Sequence, residues 1–411
     1  MKKYYFLLAI ALFPVFGVEV VDKTGLTDMP LLSANKIVRL LWFFSTTVVF
    51  IALIKLGSRA VFTKSHRQWL LVSFLLILSV GLNTPQSVVA WYRVAEIIVP
   101  LAVIVFVVNK SVEYNVPVEI LLHKAVYFIA ATSLIVVFLY LILDQDMVWV
   151  KETQGRTRLG GYVYSPNMLG AFMSFGFVSA LSLSKTERNN TIKSVFYIMS
   201  AIAFVSALIF TGSRTSLALL FLLILIHTHI YMKKRFLLFE KTILFLAAII
   251  VGFCALIYLM LNIMELIEVV GKGEDPIREI FTLNNRTVVF STALHALIEN
   301  PLTGVGYVVG VEDYYAENFP QRFWLPPHTH NGVLEILMAL GGVFGLILLL
   351  YILKNLLLHF GRIVLLKNGG GAVSTYYVVV FALSMTTVPF GNVYGPLCGI
   401  FWMTFVLTNK V

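Results

Sequence analysis

The chain has 411 residues, of which 59% are hydrophobic and 13% are charged, and its formal net charge is +10. A soluble chain of this length needs far more charge to cover its surface, so the composition excludes a soluble protein and predicts an all-α integral membrane protein. The positive charge forms no basic run and no nucleic-acid-binding motif. We therefore expect membrane lipid around the chain and no nucleic acid as a partner.

Twelve apolar segments approach the length of about 20 residues that a helix needs to cross the hydrocarbon layer. They predict about twelve transmembrane helices, at 4–18, 40–56, 69–84, 88–108, 125–143, 161–184, 194–212, 215–231, 242–263, 332–353, 373–390 and 392–408. Lys2 and Lys3 precede the first segment, which is either an uncleaved helix or a signal peptide. No convincing small-residue cleavage site follows it, which favours the uncleaved helix.

Basic residues predict the orientation of these spans. With the N-terminus inside, 19 of the 31 Lys and Arg residues fall on cytoplasmic segments, as the positive-inside rule requires. Both termini are then cytoplasmic, and the loop 264–331 lies outside, between helices 1–9 of residues 1–263 and helices 10–12 of residues 332–411. A loop of this length is expected to carry short amphipathic helices on the membrane surface.

The first candidate segment opens the sixth span from the outside. It runs from Arg158-Leu-Gly-Gly to Pro166-Asn167, and its glycines and proline indicate an irregular, polar-lined helix entrance. Arg158 either belongs to a plain loop or adds to a rim that attracts phosphate.

Arg214 lies in a tight hairpin between two apolar spans, after Gly212 and Ser213. One interpretation is a structural anchor whose guanidinium extends to the lipid headgroups. The other is a ligand whose planar fork of donors binds phosphate oxygens. A permanent charge near the hydrocarbon boundary is unfavourable without a partner, which favours the second interpretation.

Arg286 lies in the acidic outer loop, where Asn285-Arg286-Thr287 is expected to open a helix that ends at Glu299-Asn300-Pro301. Phe290, Leu294, Leu297 and Ile298 would form its apolar face. Arg286 either pairs with Glu279 or Glu299, or acts with Arg214 to bind the two phosphates of a diphosphate.

The last candidate segment, His328-Thr329-His330-Asn331, precedes the tenth span. Two histidines at this spacing can bind metal, but no nearby carboxylate or cysteine motif completes a metal site, so we expect none. A neutral imidazole at a helix start suits a general base, and His330 is the preferred one, with Asn331 as a neighbour that orients it. Glu335 either selects the imidazole tautomer or pairs with an arginine.

Taken in order, these segments resemble the O-antigen ligase family, which includes O-antigen polymerases and protein O-oligosaccharyltransferases. The resemblance covers roughly residues 156 to 350 and is carried by Arg158-Leu-Gly-Gly, Pro166-Asn167, Ser213-Arg214-Thr215, Asn285-Arg286, Glu299-Asn300-Pro301-Leu302, Gly304-Val305-Gly306, His330-Asn331, Leu334-Glu335, Gly341-Gly342 and Gly345.

This resemblance implies an inverting, metal-independent glycosyl transfer at the periplasmic face of the bacterial inner membrane. The donor would be a glycan on undecaprenyl diphosphate, the acceptor a sugar of lipid A-core, and no cofactor would be needed. It further implies that Arg214 and Arg286 bind the diphosphate and that His330 is catalytic. Arg158, Asn167, His328, Asn331 and Glu335 are possible supporting residues.

Three other functions compete with this interpretation. A polymerase would use the same donor and a growing glycan as the acceptor, and no residue distinguishes it from a ligase. A protein O-oligosaccharyltransferase ranks below both, since no additional periplasmic domain is apparent. A transporter or flippase also has many spans, but the chain shows no half-repeat and its longest loop is predicted to lie outside.

Overall fold

The computed structural model describes residues 30–55, 64–143, 148–151, 157–160, 164–231, 286–319, 328–364, 371–384 and 396–408, together with Leu8, Gln145 and Pro326. Within these residues there are twelve helices and two short strands. The helices are α1 (Pro30–Lys55), α2 (Lys64–Asn83), α3 (Val88–Glu113), α4 (Val118–Leu143), α5 (Pro166–Thr186), α6 (Thr191–Thr211), α7 (Arg214–Tyr231), α8 (Arg286–Glu299), α9 (Val309–Asn318), α10 (Gly332–Val364), α11 (Gly371–Leu383) and α12 (Pro396–Leu407). The strands are β1 (Trp149–Lys151) and β2 (Thr157–Leu159).

Most of the predicted spans coincide with described helices. Ten of the twelve do so, whereas 4–18 (Leu8 apart) and 242–263 lie outside the described residues. Six helices in the described ranges are long and apolar enough to cross a membrane, namely Ser65–Asn83, Val88–Glu113, Val118–Leu143, Pro166–Thr186, Thr191–Thr211 and Gly332–Val364. The chain is therefore a multi-pass membrane protein, while the count of twelve spans and the sidedness stay predictions.

A β-hairpin is the exception to the all-α prediction. β1 and β2 pair antiparallel, with Trp149 opposite Leu159. Aromatic and β-branched residues favour this extended pairing. The sixth span follows this hairpin and begins at Pro166 rather than at 161. Ser165 caps it by accepting a hydrogen bond from the amide of Met168.

The chain divides into two compact units. The first comprises residues 1–125, 286–359 and 376–411, and the second comprises residues 126–285 and 360–375. In the first unit α3 packs against α1, α2 and α12. In the second unit α5 packs against α6 and α7. The predicted division at residues 263 and 331 stays a prediction.

A break in α10 organises the first unit. Gly341 has φ +74° and ψ 179°, so the carbonyls of Met338 and Ala339 lose their helical partners. The amides of Val305 and Gly306 donate to these two carbonyls at 3.0 and 3.1 Å. The amide of Gly342 donates in turn to the carbonyl of Pro301 at 2.7 Å. The segment 301–306 therefore replaces the lost helical bonds, as apolar surroundings demand.

We expect Gly341→Ala to destabilise the protein by about 1–3 kcal/mol, because a methyl group there would overlap the backbone of Leu302 and Gly304 and the residue has a positive φ. Gly361→Ala is the matched control, since it lies in the same helix with no atom within 4 Å of its added methyl group. Thermal unfolding of the purified variants in detergent measures the difference. Equal midpoints for the two variants would contradict the structural role of the break.

Candidate functional site

The hairpin that carries Arg214 is a sharp turn between α6 and α7. α6 ends at Thr211, and Gly212 adopts the left-handed conformation (φ 58°, ψ 19°) with its amide bonded to the carbonyl of Ile209. This geometry favours glycine. Ser213 is fully buried, whereas Arg214, the first residue of α7, is exposed. The turn therefore presents a guanidinium at a helix start, where the backbone dipole also favours anions.

Arg158 braces this turn from β2. Its Nε donates to the carbonyl oxygen of Thr211 at 2.8 Å, and its Nη2 donates to Oδ1 of Asn167 at 3.1 Å. The first bond satisfies a carbonyl at the end of α6 that has no helical partner. Arg158 thus stabilises the turn that carries Arg214. The attraction of Arg158 for phosphate stays a prediction.

Asn167 joins the start of α5 to the same turn. Its Oδ1 accepts a second hydrogen bond, from Oγ of Ser213 at 2.9 Å, and its backbone carbonyl accepts from Oγ of Ser216 at 3.0 Å. Oγ of Ser213 accepts from the amide of Ser216, which makes Ser213 the cap of α7. Neither serine was predicted as a supporting residue, although a serine directly before an apolar helix is a recognised cap signal.

Asn167→Ala is expected to lower the midpoint of thermal unfolding by removing about 1–3 kcal/mol of stability, because the partly buried donors of Arg158 and Ser213 lose their common acceptor. Asn167→Asp keeps an acceptor oxygen at that position and adds a charge opposite Arg158, so it should retain more stability than the alanine variant. Thermal unfolding in detergent compares the two. An aspartate variant no more stable than the alanine variant would contradict this network.

α8 begins at Arg286 and ends at Glu299, which confirms the predicted ends of this helix. The predicted apolar face is not the buried one, however. The buried residues are Val289, Thr292, Ala293 and Ala296, whereas Leu294 and Ile298 are 48% and 73% exposed.

The side chain of Arg286 lies outside the described residues, as does Glu279, one of its two predicted partners. The other predicted partner, Glu299, accepts a hydrogen bond from the hydroxyl of Tyr314 on α9 at 2.6 Å. Burial, followed by that hydrogen bond and the charge of Glu299, raises the pKa of Tyr314 to about 12. Tyr314 therefore remains a donor at neutral pH.

Glu335 braces the histidine segment from inside α10. It is fully buried, and its Oε2 accepts from the amide of Thr329 at 2.8 Å. Its Oε1 is also buried and has no hydrogen-bond partner within the part of the chain that the structure describes. The two roles predicted for Glu335, selection of the imidazole tautomer and pairing with an arginine, stay predictions.

Asn331 caps α10. Its Oδ1 accepts from the amides of Val333 and Leu334 at 3.0 and 3.1 Å, and its own amide donates to Oγ1 of Thr329. Thr329 also donates its hydroxyl proton to the carbonyl of Asn331 at 2.6 Å. The side chain predicted to orient His330 thus orders the helix start that follows it.

His330 occupies the left-handed region with φ +54°, which is rare for a residue with a β-carbon. Its amide donates to Nδ1 of His328 at 3.1 Å, and the two ring centroids lie 4.2 Å apart at 73°. No group of three or more His, Cys, Asp or Glu residues that could hold a metal ion occurs among the residues that the structure describes.

The predicted residues are divided between the two units. Arg158, Asn167 and Arg214 are in the second unit. The first unit contains the histidine segment, with Glu335, and the start of α8 at Arg286. Each group includes the start of an apolar helix, α7 at Arg214 and α10 after the histidine segment.

Residues 198–350 match the protein family described as O-Antigen ligase. This match confirms the predicted resemblance and includes Arg214, Arg286 and His330. It implies a membrane glycosyltransferase activity of the O-antigen ligase or polymerase type. No curated protein matches the chain.

Proposed function

We propose that the chain, which carries an O-antigen ligase domain at residues 198–350, transfers a glycan from undecaprenyl diphosphate to lipid A-core with inversion and without a metal ion. The observation that carries this proposal is the conformation of His330, a left-handed histidine between the cap Asn331 and the amide acceptor His328. Non-glycine residues persist in this conformation where surrounding contacts over-determine them, and such positions cluster at active sites.

The proposed reaction is a single displacement at the anomeric carbon of the donor sugar. His330 removes the proton from the acceptor hydroxyl as its oxygen attacks that carbon from the face opposite the diphosphate. The bond between the anomeric carbon and the diphosphate oxygen breaks, and undecaprenyl diphosphate leaves with the bonding electrons. Arg214 and Arg286 neutralise the charge that grows on this leaving group.

The exposed position of Arg214 supports its role as a phosphate ligand. Arg158 donates a hydrogen bond to the carbonyl of Thr211, and Ser213 donates one to Oδ1 of Asn167, so the turn next to the Arg214 guanidinium is ordered. Ordering before binding lowers the entropy that is lost when substrate and charged groups are aligned. We further propose that Arg214, Arg286 and His330 lie on the periplasmic side of the inner membrane and that both termini lie in the cytoplasm.

Purified protein supplied with a lipid-linked glycan and lipid A-core tests this function. A glycosidic bond to lipid A-core is the expected result, with the His330→Ala variant as the inactive control. Extension of the lipid-linked glycan without transfer to the core would assign a polymerase instead. Translocation of the lipid-linked glycan across vesicles without any new glycosidic bond would assign a transporter.

A further inference from the structure

Each backbone amide around His330 donates a hydrogen bond to its own acceptor. Thr329 donates to Glu335, His330 to His328, Asn331 to Thr329, and Gly332 to the carbonyl of Ser384 at 2.7 Å. Side-chain atoms therefore hold three consecutive amides, those of residues 329 to 331. Each acceptor is a different residue, so each bond in this segment can be removed separately.

The hydrogen bond from the His330 amide to Nδ1 of His328 determines the tautomer of the His328 ring. A ring nitrogen accepts a hydrogen bond only when it carries no proton. Nδ1 of His328 accepts from the His330 amide at 3.1 Å, so the neutral ring carries its proton on Nε2. An imidazole in this state is a fixed acceptor for the backbone of the residue two positions later.

We propose that His328 is a positioning residue for His330, acting through Nδ1 on its backbone amide. This inference rests on the proposed function of His330 as the base. The left-handed conformation of His330 is unfavourable for a side chain with a β-carbon, and the bond to His328 offsets that preference. Fixing the backbone fixes the origin of the His330 side chain, and thus the distance from its imidazole to the acceptor hydroxyl.

Packing between the two rings is the competing explanation for the presence of His328. The ring centroids lie 4.2 Å apart in an edge-on arrangement, and any flat side chain of similar size would supply that contact. The hydrogen bond requires more, namely an acceptor attached directly to Cγ. Asparagine carries such an acceptor in its Oδ1, whereas glutamine carries its oxygen one carbon further out.

The test compares His328→Asn, His328→Gln and His328→Ala with wild-type protein in the purified transfer assay. We expect the alanine and glutamine variants to lose turnover by about 10²-fold, because a misplaced base costs that much, and the asparagine variant to stay within about tenfold of wild type. KM for the lipid-linked donor should be unchanged in all three. His295→Ala, an exposed histidine on α8, is the matched control and should behave as wild type.

An asparagine variant as slow as the alanine variant would overturn the positioning role. A glutamine variant as fast as the asparagine variant would overturn it as well, in favour of ring packing. Absence of product from wild-type protein, or normal turnover by His330→Ala, would instead overturn the proposed function. The two failures are therefore distinguishable.

A second measurement does not depend on activity. Nitrogen-15 spectra of histidine-labelled wild-type protein should show the δ1 nitrogen of His328 without a proton at neutral pH. Disappearance of that resonance in His328→Asn assigns it. A protonated δ1 nitrogen would overturn the proposal, since such a nitrogen cannot accept a hydrogen bond.

Discussion

Arg214→Ala and Arg286→Ala are each expected to abolish glycan transfer while the protein remains in the membrane. Each substitution removes a permanent charge from the leaving diphosphate, and loss of one such electrostatic contact lowers turnover by about 10²–10³-fold. Lysine should restore little at either position, because a single ammonium lacks the planar fork that binds two phosphate oxygens at once. Transfer to lipid A-core by purified protein measures the loss.

Arg188→Ala is the control for these variants. Arg188 is an exposed arginine between α5 and α6, on the face predicted to be cytoplasmic, and its replacement should leave transfer unchanged. Near-normal transfer by both Arg214→Ala and Arg286→Ala would remove the hypothesis that two guanidinium groups bind the diphosphate. Full rescue by lysine would support a role for the positive charge and would contradict the role of the planar guanidinium fork.

His330→Ala is expected to reduce turnover by about 10²–10⁴-fold, the usual contribution of a positioned general base. The loss should exceed that of His328→Ala, since the first substitution removes the base and the second only displaces it. Added imidazole should restore part of the turnover of His330→Ala and none of that of His328→Ala, because only the first leaves room for a replacement base beside the hydroxyl. Single-turnover rates with saturating donor measure both effects.

The reverse order of damage would move the base by two residues, to His328. Equal, small effects of both substitutions would leave the segment as a structural cap of α10, in which Glu335, Thr329 and Asn331 already take part. Thermal unfolding of the same preparations separates loss of chemistry from loss of folded protein.

The local features of the chain followed from residue types and short spacings. Apolar runs located ten spans that coincide with described helices, and the tight hairpin before Arg214 is the turn between α6 and α7. Both ends of α8, at Arg286 and Glu299, were also predicted. The spans follow from continuous apolar runs, and the helix ends follow from residues within one helical turn of one another, which is the range over which capping acts.

The roles of individual side chains were less predictable. Asn331, which was expected to orient a histidine, also caps α10, and Arg158 binds the carbonyl of Thr211 from β2, 53 residues away in sequence. The buried stripe of α8 runs through its small residues rather than through Leu294 and Ile298. Hydrophobicity alone cannot identify that stripe in a membrane protein, because lipid and protein interior are equally apolar.

The sequence by itself determined the class of the protein, its apolar spans and the three groups, Arg214, Arg286 and His330, on which a family resemblance rests. Only the tertiary structure decided which atoms hold the backbone near these groups, as the bonds of Gly342 to Pro301 and of Gly332 to Ser384 show. The reason is physical. A buried amide must find an acceptor wherever the fold supplies one, and that acceptor is often distant in sequence.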